Sequence, residues 1–107
     1  MKPLEHLKIL DLTHMLSGPY CTQLLADLGA QTIKVEPPIK GEGTRRLLEK
    51  DPDHSIDGMG AYFLTLARNK KSVAIDLKSK EGLQVFYDLV KVVDVVVLGL
   101  ATAPKGW

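Results

Sequence analysis

Apolar positions recur along this chain with two different spacings, and the alternation between them outlines the fold. Leu7-Lys8-Ile9-Leu10-Asp11-Leu12 is a short apolar-rich run that predicts a buried strand. The turn Thr13 to Gly18 follows, and Pro19 suits the first turn of a helix that Ser17 or Gly18 would cap. Cys21, Leu24, Leu25 and Leu28 then recur at helical spacing, which predicts one apolar face turned to the core. Gly29 closes the helix, because glycine adopts the left-handed conformation that a helix C-terminus favours. Gln31 to Glu36 reads as a second strand, stopped by Pro37-Pro38. Strand, helix and strand in succession make a βαβ unit with parallel strands and a right-handed crossover.

Beyond it the pattern lapses. Pro37 to Gly60 has no sustained period except a short helical stretch near Thr44 to Leu48, and a connection of that length is commonly functional or disordered. Met59 to Ala67 predicts a short buried helix, and Arg68-Asn69-Lys70-Lys71 a polar, basic turn. Ser72 to Leu77 alternates Val73, Ile75 and Leu77 on one face, a third strand. Ser79 caps the next helix, with Glu81 in its first turn and Leu83, Phe86, Tyr87 and Val90 on its core face. Val92 to Leu98 is nearly all β-branched and predicts a central parallel strand covered on both faces. The expected fold class is α/β, a Rossmann-like open parallel sheet of about four strands. No further helix follows the fourth strand, so the sheet is expected to be truncated.

Composition adds mainly exclusions. The chain has 107 residues, enough for one domain, with 45% hydrophobic and 25% charged side chains. A net charge of +1 gives no global field to recruit nucleic acid or an anionic membrane. No apolar run approaches the ~20 residues of a membrane span, and Met1 to His6 has no signal-peptide core. A cytoplasmic setting is the expectation. The single cysteine, Cys21, reads as a small buried hydrophobe on the helix face, with no disulfide or metal role.

Candidate chemistry is sparse. Glu36 ends the second strand about 20 residues after the first turn, where dinucleotide folds place a ribose-binding acid. The turn lacks the glycine fingerprint of such sites, and Pro19 removes an N–H there, which argues against one. Gly41 to Arg46 reads as a solvated loop, with a phosphate cradle as the alternative. Arg68, Lys70, Lys71 and Lys78 offer phosphate contacts or a solvated charge run. His14 follows the first strand, where open α/β sheets bind ligands, or it is a plain exposed histidine. No catalytic set and no metal spacing stands out.

Several blocks in order carry a resemblance. Residues 7 to 14 (Leu-Lys-Ile-Leu-Asp-Leu-Thr-His), 17 to 30 (Ser-Gly-Pro-Tyr through Leu-Gly-Ala) and 33 to 38 (Ile-Lys-Val-Glu-Pro-Pro) open it. Gly41 to Arg45, Ala61 to Ser72, Ile75 to Lys78, Glu81-Gly82 and Asp94 to Val97 continue it. Together they resemble the opening of class III CoA-transferases, the CaiB/BaiF family of formyl-CoA and carnitine CoA-transferases and 2-methylacyl-CoA racemases. The resemblance implies a Rossmann-like large domain from a protein whose subunits pair as interlocked homodimers. It implies acyl-CoA and carboxylic acids as substrates, with coenzyme A itself a substrate and no separate cofactor. It places the coenzyme A site at His14, Leu16 and Ser17 after the first strand, and at Ile75, Asp76, Leu77 and Lys78 beside the adenine end.

Leu16 stands where formyl-CoA transferases carry glutamine, and Pro37 replaces a coenzyme-contacting arginine, so the resemblance points away from formyl or oxalyl specificity. Leu98-Gly99-Leu100-Ala101 also departs from the family's Glu-Asn-Phe-x-Pro-Gly. Residues 1–98 are therefore expected to be the N-terminal part of the large domain, and 99–107 a divergent tail. The family's nucleophilic aspartate would lie further on, since Asp11, Asp27, Asp76 and Asp94 match other positions. The chain alone is expected to be inactive. A racemase fragment and a non-catalytic coenzyme A-binding remnant are the alternatives.

Overall fold

The computed structural model describes residues 1–99. The elements run β1 (Lys8–Asp11), α1 (Ser17–Asp27), β2 (Gln31–Glu36), a 3-10 turn (Gly43–Arg46), β3 (Ser55–Ile56), β4 (Met59–Gly60), α2 (Ala61–Leu66), β5 (Lys70–Ala74), α3 (Lys80–Val90) and β6 (Val95–Val97). β3 and β4 form a minimal antiparallel hairpin, while β5-β2-β1-β6 is a four-stranded parallel sheet. That order, third strand beside second, first and fourth, matches the 3-2-1-4 part of the doubly wound strand order. The α/β reading, the βαβ unit and its parallel pairing are therefore observed.

One face of the sheet packs on α3. Leu10, Leu12, Val35, Ile75 and Phe86 form the buried cluster, with Ile33, Val73, Leu83, Val90 and Val96 against it. The helix starts as its sequence predicts: the Ser79 hydroxyl accepts the Gly82 N–H at 2.9 Å, and Glu81 lies in the first turn. Leu83, Phe86 and Val90 face inward, but Tyr87 sits at the rim, 36% exposed.

The other face carries Asp11, Lys34, Glu36, Lys70 and Ser72 by the strict alternation of strand side chains. α1 lies over it and is turned the opposite way from its apolar stripe. Pro19, Thr22, Gln23 and Ala26 are the buried positions. Cys21 is exposed, and Leu24 and Leu28 are 46% and 47% exposed. The predicted core face thus looks outward, and Cys21 is not a buried hydrophobe. The reason is the partner surface: Thr22 reaches a carboxylate at 2.6 Å, a contact no leucine could make. Nor does Ser17 or Gly18 cap α1: Leu16 is the N-cap, without a side-chain bond. Gly18 serves packing instead, because a Cβ there would fall 2.4 Å from Thr13. Gly29 does close the helix, at φ +107°.

Two strand readings shift. β5 begins at Lys70, inside the predicted basic turn, and ends at Ala74, so Ile75 to Leu77 lie in the following loop. β6 is an edge strand of the described sheet with half-exposed valines, where a central, fully covered strand was expected. Asp94 anchors its start, exchanging bonds with Lys8 of β1. The tail from Leu100 to Trp107 lies outside the described residues.

Candidate functional site

Parallel strands bring their C-terminal ends, and the loops that follow, to one edge of a sheet. Here that edge holds an open cleft of about 560 Å³, within the ordinary size range of small-molecule sites. Leu12, His14 and Met15 form the β1 side, Val35 to Pro38 the β2 side, and Ile75 to Lys78 the β5–α3 side. The β5 side is tied to β2 by the Ile75 N–H, which donates to the Glu36 carbonyl at 2.9 Å. Asp76 shapes its loop: one carboxylate oxygen accepts the Lys78 N–H at 3.0 Å, and its carbonyl accepts from the Ser79 N–H and hydroxyl. The Lys78 ammonium is exposed and pairs with no carboxylate among the described residues.

Of the residues named from sequence, His14, Ile75, Asp76, Leu77 and Lys78 come together around this cleft. Leu16 and Ser17 do not line it; they sit at the start of α1, Leu16 55% exposed. Met15 lines it in their place and was missed. Its backbone turns through φ +70°, which no residue pattern announces.

Two of the other basic candidates, Lys70 and Arg68, are committed elsewhere. Lys70 is buried, its ammonium 3.1 Å from Asp11 and 3.0 Å from the Pro19 carbonyl. Arg68 lies at the other end of β5, 3.5 Å from Asp27. Asp11 collects donors from Thr13, Thr22 and Lys70, while the Lys34 ammonium is held by the Thr13 carbonyl at 2.9 Å. Burial pushes the Asp11 carboxyl up. The Lys34 charge, the Thr13 and Thr22 hydrogen bonds and the Lys70 charge outweigh it, so the group lies below its ordinary value. Burial pushes the Lys70 ammonium down, and Asp11 only partly restores it.

Glu36 is no free ribose acid. Arg45 grips its carboxylate with two bonds at 2.7 and 2.8 Å while stacking 4.0 Å over Phe63. Ser72 and the Glu42 N–H add further donors. Burial raises this carboxyl, but the donors win and hold it at about 2. The Gly41 to Arg46 stretch is therefore neither a phosphate cradle nor a solvated loop. Arg45 is spent on Glu36, Arg46 donates to the Lys40 carbonyl at 3.0 Å, and Glu42 and Thr44 are fully buried. Among the described residues no group of three or more His, Cys, Asp or Glu is placed to hold a metal. No helix there is long and apolar enough to cross a membrane.

Comparison with known proteins agrees with this architecture. The model of CoA-transferase family III matches residues 4–103. Succinyl-CoA:glutarate CoA-transferase of Mus musculus is 44% identical over 97 residues, covering 91% of this chain and 21% of its own length. Formyl-CoA:oxalate CoA-transferase of Bradyrhizobium sp. is 47% identical over 96 residues, covering 90% of this chain and 22% of its own. A CAIB/BAIF family protein from Brucella suis has a similar structure, with a TM-score of 0.79 at 39% identity, covering 89% of this chain and 25% of that one. The chain thus spans between a fifth and a quarter of the length of these relatives. Identity to the succinyl and formyl enzymes is nearly equal, so it does not rank the acids. With a match running through nearly all of its sequence, the chain belongs to CoA-transferase family III.

Proposed function

We propose that the cleft binds the coenzyme A portion of an acyl-CoA, and that the chain is part of a transferase moving coenzyme A between acyl-CoA and a carboxylic acid. The carrying observation is the convergence of His14, Ile75, Asp76, Leu77 and the unpaired Lys78 on one cleft at the strand C-termini. Leu12, Val35, Ile75 and Leu77 give an apolar wall on which an adenine ring can pack, and Lys78 supplies a cation at the rim for phosphate. The relatives are CoA-transferases, named for succinyl-CoA with glutarate and for formyl-CoA with oxalate, which favours transfer over racemisation. Interlocked pairing of two full-length subunits belongs to the same reading.

The chemistry of the family reading needs a free aspartate as nucleophile. Asp11 is buried and saturated with donors, Asp27 is held by Gln23, Asn69 and Arg68, and Asp76 and Asp94 bind backbone N–H groups. None of these four stands ready to attack, and Asp51, Asp53, Asp57 and Asp88 do not line the cleft, so on this reading the chain alone binds without turning over. Calorimetric titration with coenzyme A tests the first half. Lys78→Ala should weaken binding about fivefold, the loss of an exposed charge-assisted contact. Unchanged affinity would remove Lys78 from the site, and no binding by the wild type would sink the reading. Incubation with an acyl-CoA and hydroxylamine tests the second half, and a protein-bound hydroxamate would refute inactivity.

A further inference from the structure

Building on the reading of the cleft as a coenzyme A site, we propose that Glu42 is a positioning residue, which sets the β1 wall of that cleft from inside the Pro37 to Gly60 stretch. Glu42 has no exposed surface. One carboxylate oxygen accepts the Met15 N–H at 2.7 Å; the other accepts the Thr44 N–H at 2.9 Å and the Thr44 hydroxyl. Its own N–H donates to Glu36 at 2.8 Å. A single residue therefore links the β1–α1 turn to the end of β2, and both border the cleft.

The bond to Met15 matters because of what that backbone is doing. Met15 sits at φ +70°, a conformation that a non-glycine residue keeps only when its surroundings hold it. Its side chain is 52% exposed, so packing is a weak restraint. The carboxylate is the restraint. A carboxylate also suits the task better than an amide: three donors converge on it, and glutamine has one oxygen to offer them. His14 and Met15 would face the ligand, and Glu42 acts through them.

The test uses the whole chain with coenzyme A. Glu42→Asp keeps the charge and can still cap Thr44, but it is one methylene too short to reach Met15. The dissociation constant for coenzyme A should rise about tenfold, the loss of one charge-assisted hydrogen bond. In hydrogen exchange without ligand, the Met15 amide should lose protection while the Thr44 amide keeps it. Against a Met15→Gly background, which lacks the Met15 side chain in the cleft but takes this conformation unaided, Glu42→Asp should cost little further affinity, a rescue by the glycine backbone. A merely structural role for Glu42 predicts no such rescue. If Glu42→Asp does not fold, Glu42→Gln serves: its single oxygen can hold only Met15 or Thr44. Affinity for coenzyme A should then fall and one of the two amides should lose protection; unchanged affinity and protection of both overturn the role of Glu42. A Met15 amide that exchanges freely in the wild type overturns the proposal without any variant. Failure of the wild type to bind coenzyme A overturns the reading of the cleft. Equal binding by wild type and Glu42→Asp overturns the role of Glu42 alone.

Discussion

Against α3 the sheet presents Leu10 of β1 and Val35 of β2; against α1 the same strands present Asp11 and Lys34, one residue along, joined by Lys70 of β5. Both layers are buried, but by opposite means. The apolar side is held by area removed from water, at ~25 cal/mol per Å², and is tolerant of direction. The ionic side has to recover a desolvation cost of several kcal/mol per charge through exact partners, and nothing in it is left without one. It gains little net stability from this. It gains fixed geometry, and the fixed atoms lie directly beneath the cleft: Thr13 precedes His14, and Glu36 is part of the wall.

The sharpest way to break this contrast is to remove one charge. Asp11→Asn leaves Lys70 and Lys34 buried without their counter-charge, and should cost ~3–5 kcal/mol, close to the whole stability of a small domain. Phe86→Leu, at the centre of the apolar layer, should cost only ~1–2 kcal/mol. Urea unfolding midpoints compare them. If Asp11→Asn is folded and loses less than Phe86→Leu, the ionic layer is not the demanding one. If it does not fold, Asp11→Leu combined with Lys34→Met and Lys70→Met should recover a folded chain, because an apolar replacement of all three leaves no orphaned charge.

Acid separates the layers next. Glu36 has a folded pKa of about 2 against an ordinary 4.5, a gap worth on the order of 3 kcal/mol. A depressed carboxyl contributes its stability fully above about pH 4.5 and loses it as pH falls toward 2. The acid limb of a stability–pH curve should therefore drop across that window, and Glu36→Gln should flatten it. A wild-type curve that stays level there would show that the Arg45 grip contributes nothing.

The two layers also differ in how far they could be read from the sequence. α3 and its strands were legible because apolar spacing reports burial directly, and because Ser79 caps through a bond three residues away. The cleft was legible for a topological reason: parallel strands end together, so His14 and Ile75 to Lys78 had to converge. The ionic layer gave no such signal. Lys70 looks solvated in a run of basic residues, and only its distance to Asp11, 59 positions away in sequence, shows otherwise. Pro37 to Gly60 looked like open loop because periodicity detects packed faces and not hydrogen-bonded ones, and Glu42 and Thr44 are buried by hydrogen bonds. Leu16 and Ser17 lie outside the cleft lining, just past a Met15 whose left-handed backbone no residue pattern announces.

The smallest effect is also the most counter-intuitive, and it lies on α1. By hydrophobicity Leu24 should matter more than Thr22. The structure reverses them: Thr22 is fully buried with its hydroxyl on Asp11, while Leu24 is 46% exposed. Thr22→Val keeps the shape and removes one donor from the Asp11 carboxylate, which should cost ~1–2 kcal/mol. Leu24→Ala should cost ~0.5 kcal/mol, since about half of that side chain already meets water. Thermal midpoints of the two variants give the order directly. Should Leu24→Ala prove the costlier, α1 packs in solution with its apolar stripe inward, and the ionic layer beneath it would have to be redrawn.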